Sequence, residues 1–153
     1  MKTTSLYIKT SVRRLLYIFL LVVSSLVACS QQPLYPEPAL NGSEVVIDAE
    51  KLRSESPAFF TFRYHGKKIN FFVLKVHERV LSFLDVCTSC YPSKRGYRTD
   101  NGYLTCRTCD VRYSLSDIEK GLGGCYPISV EGRLQDGKYL IPVSVLEKAI
   151  DKS

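Results

Sequence analysis

Four cysteines of this 153-residue chain fall in two Cys-x-x-Cys pairs, Cys87-Thr88-Ser89-Cys90 and Cys106-Arg107-Thr108-Cys109, with fifteen residues between them. Pairs at this separation can bring four thiolates round one centre, which is the sequence pattern of a metal site. A fifth cysteine follows in Gly123-Gly124-Cys125-Tyr126-Pro127. Soft sulfur donors select zinc, a single iron or an iron-sulfur cluster. Spacing alone does not choose among them. Structural zinc is the plain alternative, but a simple zinc ribbon has no use for Cys125. Thiol-disulfide exchange is a third possibility, since five cysteines can make two bridges and a free thiol in an oxidising compartment. Neither pair, however, opens a helix within a βαβ pattern, as a thioredoxin-like site would.

The residues around the pairs fit a redox centre. Lys94, Arg95, Arg98, Arg107 and Arg112 lie in or beside the two loops, against Asp100 and Asp110. Cations there stabilise thiolate charge and can steer an acidic electron partner; as a plain solvated face they would only keep the loops exposed. Tyr91, Tyr97, Tyr103, Tyr113 and Tyr126 read as core and rim packing that limits water at the centre. His65 sits in a turn beside Gly66 and His77 beside Glu78-Arg79; neither adjoins a cysteine motif, so neither is taken as a ligand. No Ser-His-Asp arrangement, phosphate loop or paired carboxylates point to a substrate chemistry of the chain's own.

The elements that must position these cysteines are mostly strands. Val45–Ile47 reads as a first short strand, and Asp48–Arg53 as a helical turn stopped by Pro57. Ala58–Tyr64 and Ile69–Val76, rich in aromatic and β-branched residues, form a hairpin across His65-Gly66-Lys67-Lys68, with Phe60, Phe62 and Tyr64 on one face. Val80–Val86 is a third strand that delivers Cys87 at its end. Asp100-Asn101-Gly102 marks a tight turn that returns Cys106 toward Cys87. After the second pair, Val111–Leu115 alternates like a strand, and Ser116-x-x-Glu119 fits a capping box for a short helix. Gly123-Gly124 permits close backbone approach to the site. Strands near Ile128–Val130 and Lys138–Ile141 flank a turn at Gln135-Asp136-Gly137, and Ser144-x-x-Glu147 is a second capping box for a helix reaching Ile150. The expected fold is mostly β, a small α+β domain built as a compact sandwich or barrel, with two Cys-x-x-Cys loops and short helices near the C-terminus.

The N-terminus reads as an export device. Lys2, Lys9, Arg13 and Arg14 precede an apolar run from Leu15 to Ala28. That run is shorter than the roughly twenty residues of a spanning helix and has the form of a signal peptide, residues 1–28. Leu26-Val27-Ala28-Cys29 is similar to the lipobox of bacterial lipoproteins, which makes Cys29 the lipidated first residue of the mature chain; an uncleaved anchor or plain secretory signal is the alternative. Arg13-Arg14-Leu15-Leu16 is similar to a twin-arginine signal, although Val12 and Tyr17 depart from it and an ordinary basic start is the simpler reading. Residues 29–43, with Pro33, Pro36 and Pro38, read as lipidated cysteine and tether, and 44–153 as the cysteine-rich domain. Export places the domain in the bacterial cell envelope, lipid-anchored, on a periplasmic or extracellular face. Ser30 in place of Asp leaves inner and outer membrane open. Without the signal, the formal charge of +6 falls to about +2, so a nucleic-acid partner has no support. The roughly 125 residues left would gain from a metal clamp.

The combination Asp85-x-Cys87-x-x-Cys90, Lys94-x-Gly96-Tyr97, Cys106-x-x-Cys109 and Gly123-Gly124-Cys125-x-Pro127-Ile128 resembles the FtrD-like membrane iron-sulfur protein family, over roughly Phe83 to Leu146. The resemblance implies an iron-sulfur centre on Cys87, Cys90, Cys106 and Cys109 with Cys125 close by. It also implies a role in electron supply beside bacterial iron-uptake components or another redox partner protein. Many members are multi-pass membrane proteins, whereas this chain looks like the soluble domain alone on a lipid anchor. The arrangement is also loosely similar to Rieske domains, but both of its pairs are all-cysteine. Four thiolates would give a [2Fe-2S] centre a lower potential than two-histidine ligation.

Overall fold

The computed structural model describes residues 35–120 and 124–150. The expectations placed on residues 1–34, the signal peptide and Cys29 among them, and on Gly123 lie outside the described residues.

Ala39–Asn41 (β1) and Glu44–Asp48 (β2) pair as a hairpin through Gly42. The stretch expected to be tether thus contributes a strand up to Asn41, because Ala39, Leu40 and Asn41 pair backbone to backbone with a strand that is half buried. Ala49–Lys51 then makes a single 3-10 turn, capped by the Asp48 carboxylate accepting from the Glu50 N–H at 3.3 Å. Ala58–Tyr64 (β3), Lys67–Val76 (β4) and Arg79–Cys87 (β5) form an antiparallel meander. His65 and His77 occupy its two turns with positive φ.

Tyr97–Asp100 (β6) and Tyr103–Cys106 (β7) form the hairpin expected at Asp100-Asn101-Gly102, and Arg112–Ser114 (β8) pairs with β7. Pro127–Val130 (β9) joins the meander beside β5, while Arg133–Gln135 (β10) and Lys138–Pro142 (β11) pair with each other, and β11 pairs with β2. The three sheets are therefore β1-β2-β11-β10, β3-β4-β5-β9 and β6-β7-β8. The domain is mostly β, and the third small sheet carries the second cysteine pair.

The middle sheet is covered on both faces. Ile69, Phe71, Val73, Leu84 and Val86 point to one side and pack with Val45, Ile47 and Ile141 of the first sheet. Phe72, Leu74, Val76, Phe83 and Cys87 point to the other and pack with Tyr97, Leu104, Cys106 and Tyr113. Strict alternation along β4 and β5 sorts their side chains between two cores, and it explains why both strands read as nearly unbroken apolar runs. Phe60, Phe62 and Tyr64 share the first side as expected, with Phe59 on the second.

Two helix starts differ from expectation. Leu115–Lys120 is 3-10 and kinks at Asp117, and the Ser116 hydroxyl bonds Ser114 Oγ at 2.8 Å. The C-terminal helix is Val143–Lys148, with Pro142 as N-cap and no side-chain capping bond. Pro142 is still paired with Glu44 in the sheet, so β11 passes straight into the helix and Ser144 already lies inside it.

Candidate metal centre

The ends of β5 and β7 meet on the second face of the middle sheet, and each opens into a tight turn. At the first, the Cys90 N–H donates to the Cys87 carbonyl at 3.1 Å, and Ser93 continues the turn by donating to the Cys90 carbonyl. At the second, the Asp110 N–H donates to the Cys106 carbonyl at 3.0 Å, with Asp110 at a φ of 55°. Ser93 Oγ and Thr108 Oγ1 lie 2.6 Å apart and tie the two turns together.

The fifth cysteine is stitched onto the first loop. Thr88 and Ser89 hydroxyls both donate to the Gly124 carbonyl, at 2.8 and 3.0 Å, and the Thr88 N–H donates to the Tyr126 carbonyl at 3.0 Å. The register of β5 against β9 shifts between Phe83 and Cys87, and Cys87 comes opposite Pro127. This shift carries Cys125 over the pair. A Cβ on Gly124 would meet only Ser89 Oγ, at 3.9 Å, which is ordinary contact. The close approach is made by its carbonyl, so Gly124 itself is not needed for lack of a side chain.

The Sγ atoms of Cys87, Cys90, Cys109 and Cys125 all lie within 4.8 Å of one another. Cys106 Sγ lies 3.8 Å from Cys87 Sγ, and Cys109 Sγ 3.9 Å from Cys125 Sγ. All five cysteines thus converge, as free thiols. Cys87 and Cys106 are buried, Cys90 and Cys125 half-buried, and Cys109 exposed, so the cluster opens to solvent on one side. Neither His65 nor His77 belongs to it.

The thiols differ in how readily they ionise. Burial pushes Cys87 up to about 11. Cys90 is raised first by its bond to Cys87 and then by burial, and burial also lifts Cys109. At Cys106, burial opposes ionisation, but the N–H groups of Cys109 and Thr108, helped by the thiols of Cys109 and Cys87, outweigh it and lower the pKa. A metal ion would displace the protons of the raised thiols. The N–H of Val111 likewise serves the Cys109 sulfur. A set of soft donors already supplied with backbone N–H partners fits a thiolate-bound metal or iron-sulfur group.

A buried carboxylate underpins the first loop. Asp85 Oδ1 accepts the Tyr97 N–H at 2.8 Å, and Asp85 Oδ2 accepts the Tyr35 hydroxyl at 2.5 Å. Gly96, with a φ of +69°, passes so close that a Cβ would sit 2.3 Å from Oδ2. Here a glycine is required by both conformation and space. In the sequence Asp85 and Gly96 stand out only as parts of a motif, Tyr97 reads as packing as well, and nothing marks Tyr35. The Tyr35–Asp85 bond joins residues fifty positions apart, which no local spacing reveals.

Of the five basic residues, three are engaged. Arg98 pairs with Asp110 at 3.1 Å, Arg112 lies 4.5 Å over the Tyr103 ring, and Arg107 Nε donates to the Tyr97 carbonyl at 2.9 Å. Lys94 and Arg95 are exposed and form no ion pair among the described residues.

Among the described residues, no helix is long and apolar enough to cross a membrane. No curated protein sequence matches the chain. The family model described as membrane iron-sulfur containing protein FtrD-like matches residues 52–152, a span that takes in all five converging cysteines and the carboxylate beneath them. On that match the chain belongs to the FtrD-like membrane iron-sulfur protein family.

Proposed function

We propose that the domain holds an iron-sulfur centre on its converging cysteines and passes single electrons. In this reading it works as an exported lipoprotein, anchored through Cys29, that supports bacterial iron uptake or another envelope redox system. The observation that carries the reading is the convergence of five thiols on one partly open cluster in a chain of an iron-sulfur family. Bound iron supplies one-electron chemistry. The chain's own residues bind it through sulfur, keep water from the buried side at Cys87 and Cys106, and leave the Cys109 side open to a partner. Lys94 and Arg95 beside that opening supply positive charge that would speed encounter with an acidic partner.

A second reading has an observation of its own. Four sulfurs no more than 4.8 Å apart suit one tetrahedral ion, since metal–sulfur bonds of about 2.3 Å give edges of about 3.8 Å. Such an ion is either a lone iron or structural zinc in an interaction module.

Purifying the protein from residue 30 onward without oxygen, then measuring metal content, visible absorption and paramagnetic resonance after reduction, separates these readings. Coloured protein with iron and a signal on reduction supports electron transfer. Colourless protein with one zinc and no reducible signal overturns it in favour of the second reading. Metal-free protein carrying two disulfides points to thiol exchange.

A further inference from the structure

The five tyrosines around the motif look alike in sequence and separate in the structure. Tyr91, Tyr103 and Tyr126 are 38%, 43% and 48% exposed, whereas Tyr97 is 0% and Tyr113 is 3% exposed. Packing accounts for the buried rings, which meet edge to face at 6.1 Å and share a core with Cys87 and Cys106. It does not account for their hydroxyls. Phenylalanine would fill the same space without burying a polar atom.

These two hydroxyls are the buried side-chain polar atoms that find no hydrogen-bond partner among the described residues. The fold satisfies its other enclosed tyrosines: Tyr139 shares a bond with Ser82, and Tyr35 donates to Asp85. A buried hydroxyl left without a partner loses its hydration and gains nothing in return. Both orphans lie beside the thiols. Tyr97 stands opposite Cys106 in the β6–β7 register and Tyr113 opposite Leu104 in β7–β8, one residue further along the same strand than Tyr103. Negative charge on Cys87 or Cys106 is felt by Tyr97, and charge on Cys125, Cys87, Cys109 or Cys106 by Tyr113. Burial, ahead of those charges, keeps both phenols protonated and therefore donors.

We propose that Tyr113 and Tyr97 are positioning residues whose hydroxyls donate hydrogen bonds to the sulfur of the metal-loaded centre, hold it in place and raise its reduction potential. A neutral thiol is a weak acceptor, but a metal-bound thiolate or sulfide carries charge that a phenol can serve. A sulfur-bound metal centre would supply that acceptor. Reduction adds an electron to the centre, and a donated hydrogen bond stabilises the more negative state, which raises the potential.

The inference rests on the reading that the thiols hold a metal, and the test distinguishes its failure from that of the reading. Full-length protein carrying Tyr113→Phe, Tyr97→Phe or both is compared with the parent, metal-loaded and metal-free. The expected result has opposite signs in the two forms. Metal-free variants melt at the same temperature as the parent or higher, having lost an unpartnered polar atom. Loaded variants release metal to a chelator several-fold faster and, where the metal is redox-active, show a lower midpoint potential, with the double variant the largest effect. Equal loss of stability with and without metal would assign both residues to packing and overturn the proposal. Unchanged metal release and potential would overturn it too. The release rate reads the hydrogen bonds even for zinc, so failure of the redox reading leaves the test intact. Should a variant not fold, metal–sulfur vibrations of the parent recorded in light and heavy water serve instead. A shift on exchange supports the donors, and its absence contradicts them.

Discussion

The two faces of the β4–β5 ribbon are built from neighbouring residues of the same strands, yet they differ in kind. On the first face, Ile69, Phe71, Val73, Leu84 and Val86 meet aliphatic partners from β2 and β11, and the polar atom that intrudes, Ser82 Oγ, bonds the Val130 carbonyl at 2.6 Å and the Tyr139 hydroxyl at 3.0 Å. On the second, Phe72, Phe83 and Cys87 meet Tyr97, Cys106 and Tyr113, and there the orphaned hydroxyls and converging thiols gather. One face is complete once the chain has folded. The other gathers hydroxyls that find no partner among the described residues beside thiols that could hold a metal.

Removing the metal is the strongest way to break this comparison. Thiolate-bound structural metals contribute on the order of 10 kcal/mol of apparent binding free energy to the folded state. Chelation is therefore expected to erase amide-exchange protection across β6–β8 while β2 and β11 keep theirs. Replacement of a ligand sharpens it: Cys90→Ser should lower metal content below stoichiometry and leave the first face intact by the same exchange measurement. Phe71→Ala tests the opposite side. Phe71 is fully buried, so its loss should cost about 3–5 kcal/mol in denaturant unfolding, with the metal-to-protein ratio of the folded fraction unchanged.

Gly96→Ala and Tyr35→Phe act on the support of the second face. The added methyl collides with the Asp85 carboxylate and should cost about 1–3 kcal/mol, measured by unfolding, with weaker metal retention. Tyr35→Phe leaves half of that carboxylate's bonding empty and should cost about 1–3 kcal/mol.

The smallest effect belongs to the rim of the first sheet. The Asp48 carboxyl is held below its ordinary value, first by the Lys138 bond and then by Lys51. A carboxyl depressed in the folded state stabilises above its unfolded value and loses that contribution as pH falls through the folded one. Asp48→Asn should thus flatten the acid limb of thermal stability below about pH 4, without touching metal content.

Much of this contrast was legible in the sequence. The aromatic strands, the turns at His65-Gly66 and Asp100-Asn101-Gly102, and the arrival of Cys87 at a strand end follow from period-two patterning and turn chemistry, which are local. Cys125 was visible as a fifth cysteine, but its place over the first loop depends on Thr88 and Ser89 reaching Gly124 across more than thirty residues, and hydroxyls at such range leave no pattern. The same holds for Tyr35 on Asp85. Tyr97 and Tyr113 read as packing because burial of a ring is what aromatic residues near a core ordinarily do; a hydroxyl left without a partner is a property of the folded chain and leaves no mark in the sequence. The capping box at Ser144 failed because Pro142 remained in the sheet, a tertiary constraint that overrode a local signal.

The central claim is that the second face is completed by sulfur-bound iron. X-ray absorption at the iron edge of the full-length protein, isolated without oxygen, tests it directly. The account predicts stoichiometric iron whose nearest neighbours are sulfur alone; iron bound mainly through oxygen or nitrogen, or zinc in its place, would contradict it.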